Sequence, residues 1–440
     1  MVYVENLIIG AGFTGLSAAY HLQEQKQGYL IVDKTEEGGL CNTVTFEGFF
    51  FDTSGHVIHH KTPLYEDFIK KIMGANLLSL KRKAKYAFRQ YLLPYPFQVY
   101  FFELPDREIV NECIQGLEHV IKCKVNRIPR NFEEWIITNF GKGISKNFMI
   151  PYNRKVWRFP LKKISLEWVE RYVPKPDAAQ ILRFARGIDS IKGQYGYNSS
   201  FFYPKLGGIK AFVDAIKQKM GSEFVSSFIE SPLRKVDTNK KIAILRNGTK
   251  IIWNHLISTI PLPNFVTLLN NAPKVTEFYA KSLKFVSLVS INLGIRREID
   301  TDAHWIYFPE SSIPFHRVVI QSNLSPYVSP DLTHSLIVEK SLRSGESFDR
   351  KNEINQTIAY MLEKRLVKSK SDILLAKANY IKYAYPIYDT AFYNKRSYLL
   401  AFLRHYNVYS IGRFGSWEYL SMEDCFMQGR DASINVIKGQ

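Results

Sequence analysis

The sequence predicts an α/β fold in which a Rossmann-like dinucleotide-binding domain is interleaved with a helical domain and an antiparallel β-sheet domain. Three observations predict it. The chain opens with an apolar strand, a glycine turn, a helix and a second strand ending in an acid. Residues 106 to 190 read as mainly helical. Short strand patterns then return between 230 and 263, with no repeat or low-complexity linker to separate serial domains.

Val4 to Ile9 is apolar and β-branched, the composition of a buried strand. Gly10-Ala11-Gly12-Phe13-Thr14-Gly15 follows at once, and Leu16 to Gln23 carries helical spacing. The second strand, Tyr29 to Val32, ends at Asp33. A GxGxxG turn between strand and helix, with an acid about 20 residues on, is the dinucleotide-binding arrangement. Gly10 makes the turn, Gly12 lets the backbone approach a pyrophosphate, and Gly15 lets helix and strand pack closely. The helix N-terminus and Thr14 then face the phosphates, and Asp33 bonds a ribose hydroxyl. A second glycine pair, Gly38-Gly39, points to FAD as the dinucleotide.

Further along, residues 62 to 80 read as helical, and 83 to 91 alternate as a strand does. Glu133 to Phe148 and Leu166 to Tyr172 have helical periodicity. Arg234-Lys235-Val236, Ala243 to Leu245 and Leu256 to Thr259 are short strands around an Asn247-Gly248 turn. Residues 280 to 320 and 375 to 385 are β-rich. The expected domains are therefore discontinuous. Residues 1–80, 195–263 and 405–440 form the FAD-binding domain, 100–194 the helical domain, and 81–99 with 264–404 the sheet domain.

Composition narrows the partners. Hydrophobic residues make up 46% of the 440 residues and charged residues 23%, which excludes a disordered or collagen-like chain and a small disulfide scaffold. Cys41, Cys113, Cys123 and Cys425 have neither zinc-ligand nor CxxC spacing, so reduced thiols, no metal and a cytoplasmic location are expected. Lys and Arg number 59 against 41 Asp and Glu, a net charge of +18 that suits an anionic partner. The start MVYVENLIIGAG has no basic n-region and no cleavage site, and no apolar run reaches the roughly 18 residues of a spanning helix. The compact basic run Lys81-Arg82-Lys83-Ala84-Lys85 reads as a solvated strand edge. With no RNA-binding motif beside it, a nucleic-acid partner is not expected.

Several segments beyond the glycine turn resemble the UDP-galactopyranose mutase family, especially its eukaryotic form. They are Gly55-His56-Val57-Ile58, Pro94-Tyr95-Pro96-Phe97-Gln98, Pro151-Tyr152-Asn153-Arg154-Lys155-Val156-Trp157, Trp305 to Glu310 followed by Pro314 to Arg317, and Gly412 to Tyr419. They occur in the family's order and span nearly the whole chain. The resemblance implies a nucleotide-sugar site between three domains. It also implies an enzyme in which reduced FAD, restored by NADPH or NADH, acts as nucleophile. Flavin N5 attacks the anomeric carbon, the sugar opens as an iminium and recloses through another hydroxyl. Pyranose and furanose forms of a UDP-galactose-like sugar would thereby interconvert, supplying galactofuranose for polysaccharide biosynthesis. Family members associate in various ways, which leaves a homo-oligomer open.

The same resemblance implies site roles. Arg317 and Arg171 match diphosphate arginines, whose guanidinium forks suit phosphate oxygens. Tyr385 and Tyr419 match tyrosines that touch diphosphate or sugar, and Tyr95 and Tyr307 belong to the same set. Phe97, Gln98, Phe148, Tyr152, Asn153 and Trp157 would hold the base by stacking and amide contacts, with Asn198 near the ligand. His56 stands beside the flavin, Gly412 and Arg413 close over it, Gly207-Gly208 turns near it, and Val236 contacts the cofactor. Two departures affect the sugar pocket. Leu324 replaces a diphosphate-binding tyrosine, and Ser421 replaces an acid near the sugar. The competing reading is an FAD oxidoreductase of the amine-oxidase or protoporphyrinogen-oxidase type, or a nucleotide-sugar oxidase, on the same fold.

Overall fold

The computed structural model describes residues 1–35, 38–123, 128–169, 173, 177–189, 200–296 and 299–438. The strand β1 (Val2–Ile9), helix α1 (Phe13–Glu24) and strand β2 (Tyr29–Asp33) form the expected opening unit. β1 is central because Leu7, Ile8 and Ile9 are buried on both faces, as parallel strands under helices require. It pairs in parallel with Lys250–Ser258 on one side and β2 on the other, with Ile9 opposite both Ser258 and Val32. Phe228–Glu230 extends the sheet beyond β2. Ile242–Leu245 and Leu233–Asp237 extend it antiparallel beyond Lys250–Ser258, and Val408–Ser410 joins that strand in parallel. The Asn247-Gly248 turn is present, with the Gly248 N–H donating to the Leu245 carbonyl.

The second seven-stranded sheet is mostly antiparallel. Its long strands are Phe285–Ile295, His334–Arg343 and Ile373–Pro386. Arg317–Ile320, Trp305–Tyr307, Ala84–Phe88 and Tyr91–Pro94 complete it. Trp305–Tyr307 pairs in parallel with Ala84–Phe88, so the hairpin at 84–94 docks across a long sequence separation. The helical layer holds Arg107–Cys123, Phe132–Ile144, Ile150–Trp157 and Ala178–Ala185. One continuous apolar cluster joins this layer to the edges of both sheets, from Phe97 and Phe148 through Trp157 to Tyr388 and Trp417. The space between the three layers is therefore walled by aromatic side chains.

One expectation needs correction. Residues 62–80 are not helical throughout. The helix Pro63–Met73 stops at Gly74, whose φ of +50° suits glycine, and Leu77–Lys81 becomes a strand against Ser200–Pro204. Leu77, Leu78 and Leu80 give no alternation, so the strand came from a partner more than 100 residues away, which periodicity does not reveal. The expected helical stretch Leu166 to Tyr172 opens as a turn at 166–168, is helical at Val169 and then leaves the described residues.

Candidate active site

The glycine turn is built by close approach. Gly10 has φ +104°, and a Cβ there would lie 2.3 Å from Thr259 Oγ1. A Cβ on Gly15 would lie 1.9 Å from the Gly10 carbonyl oxygen, so helix and strand meet at backbone distance. Gly12 differs: its missing Cβ faces Gly38 and Gly39, with nothing nearer than 3.9 Å among the described residues. α1 starts with no side-chain cap and no acidic residue in its first turn. Its N-terminal N–H groups are thus left for an anion, and the positive end of the helix dipole points the same way. Gly38 and Gly39 both have positive φ and bring a second bare stretch of backbone over Gly12. These features fit the pyrophosphate of a dinucleotide.

Asp33 lies at the end of β2, as expected. Its carboxylate accepts the Ala11 N–H at 2.6 Å and the Lys34 N–H at 2.6 Å, so it also holds the glycine turn. Burial pushes its pKa up. Thr14 is buried under Gly412, where a Cβ would come within 2.4 Å of the Thr14 hydroxyl. Val236 does not face this cradle. It is fully buried, its N–H donates to the Leu268 carbonyl, and its carbonyl accepts from Asn270. The segment next to the end of β2 is Ser231-Pro232-Leu233, where the Ser231 N–H donates to the Asp33 carbonyl. A short strand run gave no sign of which residue would reach β2.

Between the layers lies a cavity of about 210 Å³. Tyr95, Gln98, Tyr307, Arg317, Tyr385 and Tyr419 line it from the sheets and the C-terminal segment. Phe148, Tyr152, Asn153 and Trp157 line it from the helical layer. Phe148 and Tyr152 stack at 5.4 Å, and Tyr152 meets Tyr307 edge-on at 5.6 Å. Asn153 donates its amide N–H to the Met149 carbonyl at 2.8 Å, which orients its side chain. Phe97 is not on the wall. It is fully buried behind Phe148, with the two rings stacked at 4.9 Å. Arg171 and Asn198 lie outside the described residues. Sequence reasoning missed Met149, Val156, Trp168, Val173 and His316 on the wall. His316 stood in the quoted motif beside Arg317, which was the available signal.

Arg317 is held from behind. Its Nε and Nη2 donate to the two oxygens of Glu339 at 2.7 and 2.8 Å. The two residues sit directly opposite each other on paired antiparallel strands. Glu339 is fully buried, while the Arg317 side chain keeps 22% exposure. The partnership holds the Glu339 carboxyl below its usual range and the guanidinium above its own, despite burial. Arg317 Nη1 makes no hydrogen bond among the described residues. A charge-compensated, half-buried arginine at a cavity wall presents a fixed cationic edge.

His56 lies next to this pair, since a Cβ on Gly55 would sit 3.3 Å from Arg317 Nη2. Its Nδ1 is 3.0 Å from the Ser54 carbonyl, so Nδ1 carries the proton and Nε2 is the free acceptor. Burial pushes its pKa down to about 4, with Arg413 adding to the effect, so the ring is neutral near pH 7. Arg413 donates to the carbonyls of Leu420 and Ala384 and lies 4.3 Å over the Tyr419 ring. It thereby joins Tyr419 to Tyr385, whose rings are 5.8 Å apart. Lys155 Nζ donates to the carbonyls of Phe308 and Glu310, and burial lowers its pKa to about 7.

The two departures also find their places. Leu324 is buried in a cluster with Phe201, Tyr203 and Trp305, away from the cavity wall. Ser421 caps the helix Met422–Lys438, exchanging hydrogen bonds with Asp424. Its hydroxyl therefore serves the helix end.

A bare backbone cradle that fits a pyrophosphate, together with an aromatic cavity that carries a cationic edge, marks a dinucleotide-binding protein. The chain belongs to the family of flavin containing amine oxidoreductases, whose model matches residues 13–436. It is a flavoenzyme and its cofactor is FAD. It resembles reduced UDP-galactopyranose mutase, with a TM-score of 0.93 and 28% identity over 100% of this chain and 95% of that one. A putative protoporphyrinogen oxidase from Exiguobacterium sp. 255-15 shares the fold at TM-score 0.75 and 15% identity, over 99% of both chains. Putrescine oxidase bound to putrescine does so at 0.67 and 13%, over 99% of both chains. Among the described residues no helix is long and apolar enough to cross a membrane.

Proposed function

We propose that the protein is a reduced-FAD-dependent mutase that interconverts the pyranose and furanose forms of a UDP-galactose-like nucleotide sugar. The observation that carries this reading is Arg317 at the cavity wall, compensated by the buried Glu339 and with Nη1 left for an anion. Oxidation of a small amine has no use for such a cationic edge, whereas a departing diphosphate needs one. The likeness to UDP-galactopyranose mutase over the full chain supports the same reading.

FAD would be held by the Gly10–Gly15 turn, Gly38-Gly39 and the Gly412-Arg413 segment, and in its reduced form it supplies a nucleophile for the anomeric carbon. Arg317, with Arg171, binds the diphosphate before and after it leaves. Tyr385 and Tyr419 offer hydroxyls to the same oxygens, and Arg413 fixes their rings. Phe148, Tyr152 and Trp157 offer flat faces to the base, with Gln98 and Asn153 reading its edge. His56 stays neutral and presents Nε2 on the flavin side as an acceptor. The aromatic wall excludes water, which would otherwise capture the sugar.

The test is anaerobic. Dithionite-reduced enzyme is given UDP- and dTDP-sugars, and products are separated by chromatography and identified by NMR. An isomer of equal mass, formed only with reduced flavin, is expected, and Arg317→Ala should keep its FAD yet lose nearly all turnover. Reduction of the flavin by a substrate, with loss of two hydrogens and no isomer, would instead establish an oxidase.

A further inference from the structure

We infer that Glu339 is the positioning residue of the site, one buried carboxylate that sets both the diphosphate arginine and the flavin-side histidine loop. This rests on the nucleotide-sugar reading above. Glu339 is fully buried on the strand His334–Arg343, two strands in from the sheet edge Ile373–Pro386. A lone carboxylate is costly there, so its contacts decide what it does.

Its contacts point two ways. Towards the cavity, both oxygens clamp Arg317 through Nε and Nη2. That fork leaves the guanidinium one orientation, with Nη1 as the remaining edge. Towards the cofactor side, Oε1 accepts the Gly55 N–H at 2.9 Å, one residue before His56. The loop sits against the fork so closely that a Cβ on Gly55 would meet Val319 at 2.6 Å and Arg317 Nη2 at 3.3 Å. His316 Nε2 lies 3.7 Å from the same carboxylate, and the His316 N–H donates to the Glu339 carbonyl. Arg317 and His56 therefore share one reference point, and moving it displaces both. A surface ion pair would have no such reach.

Two substitutions separate the arms. Glu339→Gln keeps an oxygen for Gly55 and loses the charge that holds Arg317. Glu339→Asp keeps the charge and withdraws both oxygens by one methylene. Each full-length variant is purified with FAD, and UDP binding is measured by calorimetry alongside the visible flavin spectrum and the melting temperature. Glu339→Gln should bind UDP about tenfold or more weakly with an unchanged flavin spectrum. Glu339→Asp should weaken UDP binding and also shift the flavin spectrum. If wild-type protein binds UDP and either FAD-loaded variant binds it equally well, the positioning role is overturned while the nucleotide reading stands. If the wild-type protein fails to bind UDP, both fall together. A variant that loses FAD leaves the other to decide.

Discussion

Gly12 and Gly15 share one turn but answer to different constraints. Gly12 has φ −70° and ψ 173°, open to any residue, and a Cβ there would meet only Gly38-Gly39 among the described residues, at 3.9 Å. Gly15 lies against the Gly10 carbonyl. Gly12→Val should therefore fold with a wild-type circular dichroism spectrum but purify colourless, because its side chain fills the cradle. Gly15→Ala should fail earlier, as insoluble or unfolded protein, because α1 is pushed off β1. A yellow Gly12→Val protein would show that the pyrophosphate does not approach there. At this scale the sequence showed the glycines, since their spacing is itself the signal. It did not show Glu339, which acquires its partner only when the strands Arg317–Ile320 and His334–Arg343 pair. Val236 failed for the reverse reason: its residue type suits any buried strand, and only the sheet order tells which face it has.

At the scale of elements, the helix Lys210–Met220 is joined to the antiparallel sheet through Asp52 at the end of the strand Phe49–Asp52. Its carboxylate accepts from Thr43 Oγ1 at 2.7 Å, Tyr203 Oη at 2.7 Å and the Ile209 N–H at 3.0 Å. Gln321, beside the strand Arg317–Ile320, donates to the Tyr203 hydroxyl and accepts the Asp52 N–H. Asp52 thus ties the helix Lys210–Met220 and the Gly207-Gly208 turn to the antiparallel sheet. Asp52→Ala strands three buried donors, which should cost about 3–5 kcal/mol. The melting temperature of the FAD-loaded protein checks this, and a change near zero would mean the helix and the antiparallel sheet hold each other by packing alone. The network also marks the limit of pattern reading. β1, α1, β2 and the strands from 233 to 258 were legible because each announces itself within one short window. Leu77–Lys81 and the parallel docking of Trp305–Tyr307 on Ala84–Phe88 depend on partners far along the chain. The cavity wall was legible only through motif resemblance, since nothing local brings Tyr95, Tyr152 and Tyr385 together.

At the scale of the whole molecule, burial of imidazoles sets the response to acid. His56, His59 and His304 are each pushed by burial down to about 4, and His316 to about 3. An unfolded chain protonates such groups near pH 6.5. The folded state holds them neutral, so their contribution is complete above pH 6.5 and is lost as pH falls through that value towards 4. Each group removes about 1.4 kcal/mol of stability per pH unit across that window. Asp52 works in the opposite sense: burial raises it to about 6, so its contribution is greatest below the usual carboxylate range and disappears as pH rises through 6. Burial lowers His21 and His255 as well, while Asp33 and Glu103 are raised as Asp52 is; the imidazoles outnumber the carboxyls, and the balance is acid instability. Urea unfolding of the FAD-loaded protein at pH 7.5 and 5.5 should show a large loss at the lower pH. Added salt should leave most of it in place, because buried groups are poorly screened while repulsion within a +18 chain is not. His59 offers the clean control, since it lies against Phe201, its Nδ1 has no hydrogen-bond partner among the described residues and it is not on the cavity wall. His59→Gln should lower the pH slope by about one proton's worth with little change at pH 7.5. Equal stability at both pH values, or a slope indifferent to His59, would place the acid response in surface charge instead of the core.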